Sequence, residues 1–239
     1  MKPSICVLGA ATQIMKITVK ELPLDGEEIT AEKFHISNGG KVVKPRCPWY
    51  VYFIKGINQA IAASRLGAYV RFAGQIGEDQ AGRNFINGRT RPCYLLLLFG
   101  LELKKEQINT LHITKFETHT GTSIRIRNKA KKSGIQRIEA AGANAKYNPK
   151  YERLSVDYEE GIGMAGLLLL SPETPSEINL LAAKYARNEL SIPAAFDIID
   201  SSYRVEQDLL YEIDFLFLRE SELTRWYLKS GFCLRDGAA

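Results

Sequence analysis

Residues 5–8, Ile5-Cys-Val-Leu8, are apolar without a break and run directly into Gly9-Ala-Ala. A strand apolar on both sides has no face to offer water, so it belongs inside a sheet covered twice. Residues 167–170, four leucines, repeat the pattern. Segments of helical period lie between. Residues 56–66 put Ile57, Ala60, Ile61 and Ser64 on one face and stop at Gly67, a residue suited to a helix end. Residues 176–188 do the same with Ile178, Leu181, Ala182 and Tyr185. Further strands are expected at 69–74, 193–197 and 214–218, and short helices at 78–85 and near 205–211. Alternating strands and helices predict an α/β fold with a mainly parallel sheet. Ligands of such sheets sit beyond the carboxyl ends of the strands.

Two stretches follow another rule. Residues 14–19 alternate Lys16 and Thr18 with Met15, Ile17 and Val19, and residues 122–127 alternate Ser123, Arg125 and Arg127 with Ile124 and Ile126. Period two with one polar face predicts strands half open to water. With residues 29–36 and 136–140 they predict a small separate β-layer attached to the α/β body, its first two strands separated by a turn at 24–26.

Charge and cysteine usage narrow the functional classes. The formal net charge of +5 over 239 residues is scattered, which argues against a nucleic-acid partner. Cys6, Cys47, Cys93 and Cys233 share no metal-type spacing, and neither do His35, His112 and His119. Cys6 reads as core, the histidines as surface or β-layer residues, and Lys129, Lys131 and Lys132 as a solvated hairpin tip. The longest apolar run, 93–99, is far short of the ~20 residues of a membrane helix, and the first residues do not read as a signal peptide. No membrane partner and a soluble, reducing, cytoplasmic setting are expected.

Chemistry enters at Asn38-Gly39-Gly40-Lys41, where two glycines allow backbone N–H groups close to a polar ligand and a lysine adds a point charge. With 42–55 set aside, the text continues into Gly56-Ile-Asn58-Gln59-Ala60 and then Phe72-Ala-Gly-Gln-Ile-Gly-Glu-Asp-Gln-Ala-Gly82. This closely resembles the first signature of the ribokinase-like (PfkB) carbohydrate kinases, and within them the ribokinase branch. Thr120-Gly121-Thr122, Ala141-Gly-Ala-Asn144-Ala, Ser171-Pro-Glu173 and Leu218-Arg-Glu220-Ser-Glu222 resemble further family segments in the same order. The resemblance implies a Rossmann-like domain over 1–239, with lid strands near 12–37 and 120–140 that close over a sugar and form a homodimer contact. It implies transfer of the ATP γ-phosphate to a primary hydroxyl of ribose or a related sugar, assisted by Mg2+ and favoured by a monovalent cation. Gly39, Gly40, Lys41 and Asn58 would contact sugar hydroxyls, Glu173 would accept from one, and Glu220 would stand near the magnesium.

The chain also departs from the family pattern. Residues 42–55 and 87–101 read as insertions, either filling a groove or representing non-coding sequence retained in the reading frame. Ile14 stands where the family has a sugar-binding aspartate, and Arg219 replaces the asparagine of the family's PNETE segment. The second signature, with its GAGD and catalytic aspartate, does not occur in the 239 residues. A fold lacking its C-terminal part and an impaired kinase are therefore expected. The alternatives are a non-catalytic sugar-binding or dimerisation module, or a non-functional remnant.

Overall fold

The structure is a computed structural model that describes residues 2–37, 55–87, 103, 106–130, 135–146, 153–198, 205–220 and 223–224. The expected insertions lie outside these residues, apart from Lys55 and Asn87 at helix ends, and so do Lys131 and Lys132. In chain order the strands are β1 (Ser4–Leu8), β2 (Thr12–Val19), β3 (Lys33–Ser37), β4 (Tyr69–Gly77), β5 (Ile113–Phe116), β6 (Gly121–Asn128), β7 (Ile135–Ala140), β8 (Leu167–Leu170), β9 (Ala194–Asp197) and β10 (Phe215–Phe217). The helices are α1 (Lys55–Arg65), α2 (Gln80–Asn87), α3 (Val156–Gly163), α4 (Ser176–Lys184) and α5 (Gln207–Glu212).

The larger sheet has the order β10-β9-β8-β1-β4-β5 and every pairing in it is parallel. β1 lies inside it because its side chains are apolar on both faces. Cys6 and Leu8 join Leu168, Leu170, Ile178 and Leu209 in the core under α3, α4 and α5. Val7 points the other way and joins Ile57, Ile61, Phe72 and Phe85 in the core under α1 and α2. Burial pushes the Cys6 thiol up to about 12, against a smaller opposite pull from Arg71, so it stays a neutral core group.

Three local expectations change. The strand expected at 29–36 begins only at Lys33, because its partner β2 ends at Val19 and the pairing stops at Thr18 opposite Lys33. α3 was not expected, since Gly161 and Gly163 weaken its helical pattern. A Cβ at Gly161 would lie 3.1 Å from the His112 ring. That helix covers His112, which is 4% exposed rather than a surface residue. β5, four residues at the sheet edge, was too short to show a period.

The smaller sheet has the order β3-β2-β6-β7. β2 and β6 run parallel from Thr12 opposite Gly121 to Val19 opposite Asn128, and the outer pairs are antiparallel. Ile14 and Ser123 are buried, while Phe34 and Ile138, of the other parity, are 55% and 59% exposed. The separate β-layer read from period two is therefore present.

α1 docks on the end of β1 through two glycines. A Cβ on Gly56 would lie 2.8 Å from the Gly9 Cα, so neither position has room for a side chain. Gly56→Ala is expected to cost about 1–3 kcal/mol, seen as a lower urea midpoint at unchanged slope.

Candidate functional site

The strand order fixes where a ligand fits. From β1 the chain adds β4 and β5 on one side and β8, β9 and β10 on the other. The strand order thus reverses beside β1, and the loops there splay apart to leave a crevice at the carboxyl edge. Gly9 follows β1 at this edge, Ser171-Pro-Glu173 follows β8, and Asp197 ends β9. The first turn of α1 brings Gly56, Asn58 and Gln59 across the opening.

Polar groups converge there. The backbone N–H of Gly56 donates to Oε2 of Glu173 at 3.4 Å, which sets a carboxylate against the positive end of α1. Gln59 Nε2 donates to Oδ2 of Asp197 at 3.1 Å, joining residues 138 apart in the chain. Gln59 Oε1 is buried with no hydrogen-bond partner among the described residues. Glu173 therefore lies at the crevice, and Asn58 is half-buried on α1, two residues after the Gly56 that bonds to Glu173. Gly39, Gly40 and Lys41 lie outside the described residues. Glu220 is exposed just beyond β10, at the same sheet edge but on its outermost strand. Among the described residues no three His, Cys, Asp or Glu side chains cluster to hold a metal, so no protein-built magnesium cage is assigned. Ile14, 3% exposed, packs into the core beside the crevice and offers it no acceptor.

Other motif residues join the two sheets instead of facing the crevice. Asp79 caps α2, accepting from the Gly82 N–H at 2.8 Å. The same carboxylate accepts from the Thr120 N–H at 2.8 Å and the Thr120 hydroxyl at 2.6 Å, just before β6 begins. Thr120 Oγ1 in turn accepts from the Gly77 N–H at 3.0 Å. Burial works against ionisation of Asp79, but the bonds from Thr120 and Gly82 prevail and hold the carboxyl below its ordinary range. Asn144 makes the matching clasp on β2. Its Oδ1 accepts from the Ala11 N–H at 3.1 Å, and its Nδ2 donates to Ala11 O and Thr12 Oγ1, both at 3.0 Å. The sequence reading gave Asp79 and Asn144 no role. An aspartate three residues before Gly82 was a usable N-cap signal, whereas nothing local announces the Asn144 clasp or the Gln59–Asp197 pair.

The family model described as pfkB family carbohydrate kinase matches residues 2–235. The chain belongs to this family. It is 28% identical to a ribokinase of Arabidopsis thaliana over 224 residues, covering 93% of this chain and 51% of that protein. It is 30% identical to a ribokinase of Haemophilus influenzae over 228 residues, covering 93% of this chain and 61% of the relative. The chain therefore spans about half to three fifths of the length of these curated relatives. The structure of Arabidopsis thaliana ribokinase complexed with ribose and ATP superposes with a TM-score of 0.72 at 25% identity, over 95% of this chain and 63% of that one. A Thermotoga maritima ribokinase shares the fold at a TM-score of 0.70 and 20% identity, over 96% of this chain and 64% of that one. The PfkB chain thus has the α/β ribokinase fold that its motifs imply.

The Asp79 clasp makes an acid-dependent prediction for this PfkB chain. A depressed carboxyl contributes stability that is present above its ordinary range and is lost as pH falls through its lowered value. Asp79→Asn is expected to cost about 1–2 kcal/mol near neutral pH. It should also flatten the acid limb of the stability curve, read from urea midpoints between about pH 3 and about pH 7.

Proposed function

We propose that this chain carries the sugar-binding crevice of an ATP-dependent sugar kinase acting on a primary hydroxyl of ribose or a related sugar. The observation that carries the reading is the Glu173 carboxylate held on the α1 N-terminus, where the strand order reverses. A polyol needs fixed donors and acceptors, and phosphoryl transfer needs positioning before anything else. Glu173 accepts from one hydroxyl and the Asn58 amide binds another. Gly39, Gly40 and Lys41 complete the contacts in this reading. The γ-phosphoryl group leaves ATP for the sugar oxygen, ADP departs, and the hydroxyl proton passes to a base that is not assigned to a described residue. ATP as co-substrate is supported by the Arabidopsis relative solved with ribose and ATP. Mg2+ would neutralise the ATP phosphates, and Glu220 would be the residue placed toward it. A monovalent cation is proposed only as an activator. Ile14 in place of an acidic acceptor supports weak sugar binding and impaired turnover.

A dimer through the smaller sheet is part of the same proposal. Met15, Ile17, Phe34, Ile36, Ile124, Ile126 and Ile138 are in register on one face, and each is half-buried or exposed. A second copy of this sheet offers the same apolar surface and buries both. A cytoplasmic setting fits this reading, and no helix among the described residues is long and apolar enough to cross a membrane.

Scanning calorimetry tests the crevice. Ribose is expected to raise the melting temperature in a concentration-dependent way, and Glu173→Gln to weaken that binding about tenfold. A transition blind to ribose and to ribose with MgATP would sink the kinase reading. Light scattering tests the dimer: Ile124→Arg is expected to give a monomer that still unfolds cooperatively. A monomeric parent chain would dispose of the dimer.

A further inference from the structure

Asn179 breaks the pattern of its helix. It lies in α4 with Ile178, Ala182 and Ala183, all of them core residues, yet it is an amide with 0% exposure. A buried amide costs free energy unless its donors and its acceptor are bonded. Here only one half of the amide is. Nδ2 donates to the backbone oxygens of Ser171 at 3.0 Å and Thr174 at 3.1 Å. Oδ1 has no hydrogen-bond partner among the described residues. The core around α4 gives no reason of its own for an amide at this position.

The bonded half supplies one. Ser171 and Thr174 bracket Glu173 in the turn between β8 and α4, and the Thr174 N–H closes that turn on Ser171 O at 3.3 Å. Pro172 occupies the second position, which its fixed φ suits, and Glu173 the third. Asn179 thus ties both ends of the one turn that carries the crevice carboxylate. It does nothing comparable for its own helix, whose N-cap is Pro175 with no side-chain cap bond. Ser171 Oγ and Thr174 Oγ1 are also buried without a partner among the described residues. Together with Asn179 Oδ1, three unsatisfied oxygens belong to this turn and its tie, a cost that stability does not account for.

The position of Glu173 does account for it. Its Oε2 accepts from the Gly56 N–H. That amide is in the first turn of α1, where backbone donors have no acceptor within their own helix. The backbone of the turn decides where the carboxylate reaches, and a misplacement of about 1 Å at a binding site can cost about a hundredfold.

We propose that Asn179 is a positioning residue for the sugar site. By fixing the turn from Ser171 to Thr174 it holds the Glu173 carboxylate where it meets α1 and a sugar hydroxyl. The sugar-binding half of the proposal rests on the sugar-kinase reading, and the half that concerns Gly56 does not.

Amide hydrogen exchange followed by NMR and titration calorimetry with ribose test it on the 239-residue chain. Asn179→Leu is expected to speed exchange of the Gly56 amide about tenfold, while the bonded core amides of Phe72 and Leu168 change less than twofold. It is expected to weaken ribose binding about tenfold. On a Glu173→Ala background the same change is expected to alter ribose affinity less than twofold, because the group it positions is gone. Asn179→Ala, which introduces the strongest helix former, is expected to act in the same direction and serves if the leucine variant does not fold. Equal acceleration at Gly56, Phe72 and Leu168 marks a loss of general stability and overturns the proposal, as does a Gly56 amide that does not respond. Equal losses of ribose affinity with and without the Glu173 carboxylate overturn it too. If ribose does not bind the parent chain, the kinase reading fails, and exchange at Gly56 alone then judges whether Asn179 positions Glu173.

Discussion

The contact between Gly9 and Gly56 is the constraint around which the molecule is arranged. Two backbones meet there at a distance that excludes any side chain. The contact seats the N-terminus of α1 over the end of β1, at the place where the strand order reverses. That position gives Glu173 a helix terminus to face and brings Gln59 within reach of Asp197. It also places Ile57 where Ile14 of the smaller sheet can pack on it. Body, crevice and second sheet thus share one junction, and the crevice is polar because elements from distant parts of the chain end there.

The second sheet is held at its root by side chains that do not belong to it. Asn144 clasps the start of β2 and Asp79 clasps the residue before β6, and those two strands leave the body side by side. A sheet tied at two adjacent strands keeps one orientation toward the crevice. The face that holds Ile14 and Ser123 is thereby turned inward, and the face that holds Phe34 and Ile138 outward.

What was legible in the sequence follows from how local each signal is. The continuous apolar runs at 5–8 and 167–170 and the helical period of 56–66 gave the α/β body. The period-two alternation of Ile124 and Ile126 with Ser123 and Arg125 gave the second sheet. Glu173 and Asn58 entered through a family resemblance, and the structure brings them to one edge. α3 was hidden because Gly161 answers to the packing of His112, a residue from another element. The Asn144 clasp spans 133 residues and the Gln59–Asp197 pair 138, and no local pattern encodes such partners. Asp79 was visible as a residue type at a helix start, but its bond to Thr120 was not.

The central position of β1 also has a consequence in time. One of its edges pairs with β4, and the other with β8, where Ile5 lies opposite Leu167. At about 5–20 residues per second a ribosome needs on the order of ten seconds to bridge that interval. Until then the first strand made has at least one open edge and an incomplete core beneath Cys6 and Leu8. Each molecule is therefore most exposed to wrong strand partners before β8 is made, and the pairing of β8 with β1 is what ends that risk.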